Sequence, residues 1–94
     1  MKLRINEIKP CTDTNKLDIE VETSGIKLSK LRSILDKISS NHYYLANAGV
    51  AIYRIDEKNI YLYNNCKIII SGLLSIQDGR LLIKKIKQNL YITE

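Results

Sequence analysis

The fold is decided by residues 49–90, which read GVAIYRIDEKNIYLYNNCKIIISGLLSIQDGRLLIKKIKQNL. Three short segments rich in aliphatic and aromatic residues, at 50–55, 60–63 and 67–71, are separated by polar residues that favour turns. This pattern is typical of an antiparallel meander of three strands. From residue 76 to about residue 90 the apolar residues recur at helical spacing, so a helix is predicted to follow the meander.

Turn and cap residues set the boundaries of these elements. We expect residues 56–59 to turn the first strand into the second, and the asparagines at 64–65 to form a hairpin turn, because Asn tolerates the positive φ that tight hairpins need. Gly72 breaks the pattern of the third strand. Ser75 and Asp78 predict a capping box at the start of the helix, with the Asp78 carboxylate reaching back to the Ser75 amide.

The N-terminal half adds two candidate strands and a second helix. Residues 3–8 form the first strand, and Pro10, which has no backbone N–H, is expected to end it or confine it to an edge. Residues 16–22 alternate between charged and aliphatic side chains, as a half-buried strand does. A helix follows, capped by Ser24 or Ser29 and ended by residues 39–41. Its apolar face is formed by Leu28, Leu31, Ile34, Leu35 and Ile38.

The predicted order of elements, β(β)–α–β–β–β–α, is that of one α+β domain over residues 1–94. Ninety-four residues are enough for a single core. The order implies two layers, an antiparallel sheet of four to five strands with both helices on one face. Gly79 lies on the apolar side of the last helix, where it permits close packing on the sheet.

The charge balance is moderately basic. Fifteen Lys and Arg stand against ten Asp and Glu, which gives a net charge of +5. Such a charge permits an anionic partner without requiring one. No apolar run approaches the roughly 20 residues of a membrane span, and the N-terminus lacks the apolar core of a secretory signal. We therefore expect a cytoplasmic protein with no membrane partner.

The residues that carry catalysis or bind metals are few. His42 is the only histidine, and it is paired in sequence with no Ser, Cys or carboxylate in a catalytic pattern. Cys11 and Cys66 lie far apart and are expected to be reduced thiols, since nothing indicates export. The sequence therefore predicts no catalytic residues, no metal, no cofactor and no small-molecule substrate.

The face of the sheet away from the helices is the informative surface. A sheet exposed on one side usually shows polar residues there, whereas this alternation places aliphatics and tyrosines near the centre, which indicates a contact surface. The helix-facing residues are predicted to be Leu17, Ile19, Val21, Ala51, Tyr53, Ile55, Ile60, Leu62, Ile68 and Ile70. The open face is predicted to hold Lys16, Asp18, Glu20, Val50, Ile52, Arg54, Tyr61, Tyr63, Ile69 and Ser71. The candidate protein interface within it is Val50, Ile52, Tyr61, Tyr63 and Ile69.

Residues 49–90 also resemble one repeat of the TATA-binding protein family. That repeat has a strand ending in Arg-Ile, an aliphatic–aromatic strand, a hairpin before Lys, an aliphatic strand closing in Thr-Gly, and a capped basic helix with an Arg-Leu step. The segments KLDIEVET at 16–23 and KLSKLRSIL at 27–35 are more weakly similar to the first strand and helix of the repeat. The matching residues here are Arg54-Ile55, Tyr61-Leu62-Tyr63, Asn65-Cys66-Lys67, Ile69-Ile70-Ser71-Gly72 and Arg80-Leu81.

The resemblance implies a curved, saddle-shaped sheet whose concave face spreads the minor groove of DNA. Because the chain holds one repeat, a full saddle implies a homodimer. The resemblance further implies a phosphate contact at Arg54 and a wedge at Tyr63, with Ala48 at the other wedge position. It places Ile69 and Ser71 where the family contacts base edges.

The second predicted strand departs from the family's pattern. Lys16, Asp18 and Glu20 stand where the family has Asn, Val and Thr contacts, and two carboxylates oppose the electrostatics of binding to phosphates. The last helix is a separate candidate surface for nucleic acid, although a solvated helix face is the alternative interpretation. Its basic residues are Arg80, Lys84, Lys85 and Lys87.

The sequence supports two alternative functions, which belong to different classes. The first is a non-enzymatic binding module, acting as a homodimer and associated with nucleic acid or the transcription machinery. The basic charge, Arg54 and the basic helix favour it. The second is a protein–protein interaction or assembly module that keeps the fold without binding DNA, which Asp18 and Glu20 favour.

Overall fold

A computed structural model describes residues 2–10, 15–39 and 41–92. The described residues form a six-stranded antiparallel sheet in the order β1-β2-β6-β5-β4-β3, together with two α-helices. No helix among them has the length and apolar character that crossing a membrane requires. The elements are β1 (Lys2–Pro10), β2 (Leu17–Ser24), α1 (Leu28–Ile38), β3 (Asn41–Leu45), a 3-10 turn (Ala46–Ala48), β4 (Val50–Ile55), β5 (Lys58–Tyr63), β6 (Ile68–Leu73) and α2 (Ile76–Ile92).

The predicted α+β class and the antiparallel sheet are confirmed, but the predicted number of strands is too low. The additional strand is β3, which pairs with β4 along its whole length. All five of its residues are exposed. A strand that buries neither face carries no apolar–polar alternation, so the sequence pattern did not indicate it.

The core lies between one face of the sheet and the two helices, and it confirms the predicted inward face. The ten residues predicted to face the helices all belong to the apolar cluster or pack against it. Helix α1 contributes Leu31, Ile34 and Leu35, as its spacing predicts. At Gly79 an added Cβ would lie 2.8 Å from Ile19 Cδ1, so α2 approaches the sheet as closely as predicted. Helix α2 contributes Leu82, Ile83, Ile86 and Leu90.

The helix caps differ in detail from the predictions. The Ser75 hydroxyl accepts a hydrogen bond from the Asp78 N–H at 3.2 Å, as in a capping box. The Asp78 carboxylate, however, accepts from the N–H of Leu74 and not from that of Ser75. Neither predicted cap of α1 is correct, because the N-cap is Lys27, which makes no side-chain cap hydrogen bond. The chain reaches α1 from an extended segment after β2, so the start of α1 rests on core packing rather than on a cap.

The β4–β5 turn of the meander is shorter than predicted, and the β5–β6 turn is longer, because β6 begins only at Ile68. The β4–β5 turn consists of Asp56 and Glu57, because Ile55 already pairs with Lys58. In the β5–β6 turn the positive φ falls on Cys66, at 70°, and not on the asparagines. Gly72, at φ 82°, lies inside β6 and does not end it. At the N-terminus, Pro10 is the last residue of β1, an edge strand, as predicted.

Candidate binding surfaces

The open face of the sheet carries a continuous row of apolar and aromatic side chains. Tyr43 on β3 lies opposite Ile52 on β4, Ile52 lies opposite Tyr61 on β5, and Tyr61 lies opposite Ile69 on β6. Tyr43, which the sequence-based interface did not include, is 55% exposed. Its strand was not predicted, so no sequence signal placed it on this face. The row therefore crosses four strands and reaches the β3 edge.

The other predicted members of this interface lie beside the row. Val50 pairs with Leu45 of β3 on one side and with Tyr63 of β5 on the other. Val50 is buried, whereas Tyr63 is half-buried and Leu45 is exposed. The surface offered to a partner therefore includes Tyr63 and Leu45 in place of Val50.

The β1–β2 side of the same face is charged, and its central carboxylate is already paired. Glu20 accepts from Lys67 Nζ at 2.8 Å and from Asn6 Nδ2 at 2.8 Å. These hydrogen bonds lower the pKa of Glu20 below its usual range and raise the pKa of Lys67. From the sequence alone, the charge of Glu20 was expected to repel the phosphates of a nucleic acid without a counterion beside it. The antiparallel pairing of β2 with β6 supplies its counterion, which reduces that repulsion.

The two candidate DNA contacts on the open face lie at opposite ends of their strands. Arg54 is exposed and donates from Nη1 to Asn59 Oδ1 at 3.3 Å. Tyr63 lies opposite Val50, four residues from Arg54 along β4, a separation of roughly 13 Å. Tyr63 instead lines a shallow depression of about 370 Å³. The depression also contains Lys16, Asp18, Tyr61, Ile69, Ser71 and Gly72.

A basic groove runs between helix α2 and strand β1. It has a volume of about 410 Å³, and none of its lining residues is acidic. Arg80, Lys84 and Lys87 line it, and none of these three side chains forms an ion pair with another residue that the structure describes. The remaining lining residues are Leu3, Arg4, Ile5 and Ile83. The predicted basic face of α2 is therefore one wall of a groove with an apolar floor.

The opposite wall of this groove could not be read from the sequence. Leu3 and Ile5 lie beside α2 because β1 joins the sheet next to β2. Arg4 also lines the groove, and its guanidinium forms an ion pair with Glu22 at 3.2 Å. Lys85 is exposed on α2 outside the groove. Because α2 packs on the helix side of the sheet, the groove and the Arg54–Tyr63 face do not form one site.

A polar cluster joins β3 to α1 on the helix side of the sheet. Asp36 accepts from the Tyr44 hydroxyl at 3.2 Å and lies 3.4 Å from His42 Nε2. The Arg32 guanidinium lies over the Tyr44 ring, 5.4 Å from its centroid. Beneath them Tyr53 is fully buried, and its hydroxyl makes no hydrogen bond of good geometry with a described residue. Burial is the main cause that raises the pKa of Tyr53, and the neighbouring Tyr44 hydroxyl and Asp36 carboxylate raise it further.

The residues considered for catalysis are distributed as follows. His42 contacts Asp36, and no Ser or Cys hydroxyl or thiol is recorded beside it in the described chain. Cys66 is a free thiol whose Sγ lies 3.8 Å from the carbonyl oxygen of Ile26. Cys11 lies outside the described residues. Within the described ranges, no group of three His, Cys, Asp or Glu side chains is placed to hold a metal ion.

Tyr53→Phe is expected to leave the free energy of unfolding unchanged or to raise it by about 1 kcal/mol at neutral pH. The substitution removes a buried hydroxyl that makes no hydrogen bond of good geometry with a described residue, so its desolvation opposes folding. Tyr44→Phe is the matched control, because it removes a hydroxyl that is bonded to Asp36. Urea denaturation of both variants measures the difference, and a loss of stability of more than about 1 kcal/mol in Tyr53→Phe would show a hidden partner.

Tyr53→Phe is also expected to differ from the wild type in the pH dependence of its stability above pH 9. Above the ordinary tyrosine pKa of about 10, Tyr53 ionises in the unfolded chain and stays protonated in the folded one. The unfolded state then binds fewer protons, so stability falls as pH rises. From pH 9 to pH 11 the wild type should lose about 1.4 kcal/mol more than Tyr53→Phe. Parallel curves for the two proteins would contradict this.

Comparisons with protein-family models, curated proteins and solved structures gave no match for this chain.

Proposed function

We propose that this protein is a non-enzymatic binding module that holds nucleic acid in the basic groove between α2 and β1 and associates with a second copy of itself. The groove is the observation that carries the proposal. Its three cations Arg80, Lys84 and Lys87 have no counterion among the described residues, and no carboxylate lines it. Contacts to phosphates supply most of the affinity in nucleic-acid binding, so unpaired cations in a groove are what such a site needs.

The shape of the groove favours a phosphodiester chain over a single phosphate. Seven residues separate Arg80 from Lys87, a rise of about 10 Å along α2. That distance is longer than a single phosphate and corresponds to about three nucleotide steps along the axis of a duplex, at about 3.4 Å each. The floor of Leu3, Ile5 and Ile83 offers an apolar surface for sugars and bases beside the charged wall.

The likeness of residues 49–90 to a repeat of the TATA-binding protein supports an association with nucleic acid or the transcription machinery. In the saddle version of this proposal, nucleic acid lies on the open face with Arg54 and Tyr63. The separation of those two side chains favours the groove instead. The pairing of Glu20 with Lys67 weakens the electrostatic objection to the open face, so that face remains the rival site for the same function.

A protein–protein interaction module is the second candidate function. The row of Tyr43, Ile52, Tyr61 and Ile69 favours it, because an exposed apolar row of this kind marks contact surfaces. In that case the basic face of α2 is a solvated helix face. The two functions differ in whether the protein binds an oligonucleotide at all.

Fluorescence anisotropy with labelled 20-nucleotide single strands and duplexes, of DNA and of RNA, tests the proposal. We expect binding at 50 mM salt that weakens about tenfold or more by 200 mM, because bound cations release counterions. A flat titration with every oligonucleotide at 50 mM salt would reject the nucleic-acid function and leave the protein-interaction module.

A further inference from the structure

The two edge strands of the sheet differ in their protection against pairing with another chain. β1 ends in Pro10 and has an irregular register between Ile5 and Glu7. Proline, bulges and charged side chains are the means by which natural sheets block their edges. β1 therefore has all three features, namely a proline, an irregular register and charged side chains. Its charged residues are Lys2, Arg4, Glu7 and Lys9.

β3 has none of these protections. Its five residues, Asn41–Leu45, contain no proline, lysine, arginine or carboxylate, and they pair with β4 in an unbroken register. All five are exposed, and β4 is the only described strand that pairs with β3. An edge that is regular, exposed and uncharged is a template for a further strand.

The side chains that face the helix layer hold this edge in place. The Tyr44 hydroxyl donates to Asp36, and His42 contacts the same carboxylate. Both β3 rings also lie against Tyr53, at centroid distances of 6.5 Å for Tyr44 and 5.3 Å for His42. The strand is therefore ordered before any partner arrives, which lowers the entropic cost of pairing.

We propose that β3 pairs antiparallel with β3 of a second copy, and that Tyr43 lies opposite Tyr43 of that copy. This inference rests on the self-association proposed above and specifies how the two copies meet. The result is one continuous twelve-stranded sheet with a two-fold axis through its centre. The apolar row of the open face then runs across the axis without interruption, from Ile69 of one copy to Ile69 of the other.

The register follows from symmetry. A two-fold axis perpendicular to the joined sheet places both helix layers on the same side of it. Residues directly opposite each other in an antiparallel pair have their side chains on the same face. The axis therefore passes midway between one residue of β3 and the same residue of the second copy. Within β3 that residue is His42, Tyr43 or Tyr44. Only Tyr43 lets all five residues of the strand pair. It also brings Asn41 opposite Leu45, with no like charges in contact.

A charge-swap experiment at Tyr43 tests both the edge and the register. Tyr43→Lys and Tyr43→Glu each place like charges opposite each other, so each variant alone should self-associate about tenfold more weakly than the wild type, or worse. Mixed in equal amounts they place opposite charges across the axis and should restore the wild-type dimer fraction. Sedimentation velocity with light scattering measures this, and circular dichroism confirms that the variants fold. Ile52→Lys, one strand inside the edge, separates edge pairing from contact between the open faces, because contact between the open faces predicts loss of the dimer in this variant and edge pairing does not.

Each other outcome overturns a stated part of the inference. Loss of the dimer in Ile52→Lys with a normal dimer in Tyr43→Lys would show that the open faces meet and not the edges. Monomeric single variants with no rescue in the mixture would reject the Tyr43 register. A wild-type monomer at high micromolar concentration would reject self-association altogether. The anisotropy assay reads the α2–β1 groove separately, so none of these results is confused with failure of nucleic-acid binding.

Discussion

Replacing Lys84 and Lys87 together by Glu is expected to lower the affinity for a 20-nucleotide single strand by about 100-fold or more at 50 mM salt. The change removes two phosphate contacts from the groove and places two carboxylates there. The dependence of log affinity on log salt should also become shallower by about 1.4 units, because each phosphate contact contributes roughly 0.7 with a single strand. Both side chains are exposed and have no described ion pair, so the fold should survive.

The matched control reverses two exposed lysines at the ends of α1, the N-cap Lys27 and Lys37 in the last turn. Each reversal changes the charge by two, so both double variants carry +1 in place of +5. If the groove is the site, the α1 variant should bind nearly as the wild type does. An equal loss in the two variants would mean that overall charge, and not the groove, sets the affinity.

A second control separates the groove from the open face. Asp18→Asn with Glu20→Thr removes two negative charges from the sheet and should change binding little. Tighter binding in this variant, together with normal binding of the Lys84→Glu and Lys87→Glu protein, would transfer the site to the sheet. That result would restore the saddle arrangement in which Arg54 and Tyr63 contact the nucleic acid.

Much of the fold was predictable wherever an element buries one face and exposes the other. The alternation at Ile19 and Val21 and the helical spacing of Leu31, Ile34 and Leu35 each reflect such half-burial. β3 lacks this asymmetry, since it is an edge strand with both faces exposed. Its position depends on pairing with β4, which is a tertiary interaction that local periodicity does not record.

The candidate site was predictable only in part, for the same reason. The spacing of Arg80, Lys84 and Lys87 places three cations on one face of any helix. The groove, however, needs Leu3 and Ile5, which reach α2 only because β1 joins the sheet beside β2. Contacts between residues this distant along the chain come from topology, and a single sequence gives no direct sign of them.

Gly72→Ala is expected to lower the free energy of unfolding by about 2–4 kcal/mol. Gly72 has φ 82°, and a left-handed backbone costs a residue with a side chain about 1–2 kcal/mol. An added Cβ would also lie 3.0 Å from the carbonyl oxygen of Glu57, a backbone atom in the tight β4–β5 turn. Because that turn cannot rotate away as a side chain can, the contact adds further strain.

Other residues show that positive φ alone is tolerated in this chain. Asp56 and Cys66 adopt φ of 55° and 70° in turns, without glycine. Gly25→Ala is therefore the matched control, since Gly25 is exposed at φ 72° and should cost about 1 kcal/mol from its backbone alone. In thermal melts Gly72→Ala should fall about 10–25 °C below the wild type and Gly25→Ala only a few degrees. Equal melting temperatures in the two variants would show that the β4–β5 turn moves to accommodate the added Cβ at position 72. The close approach of that turn to β6 would then contribute nothing to stability.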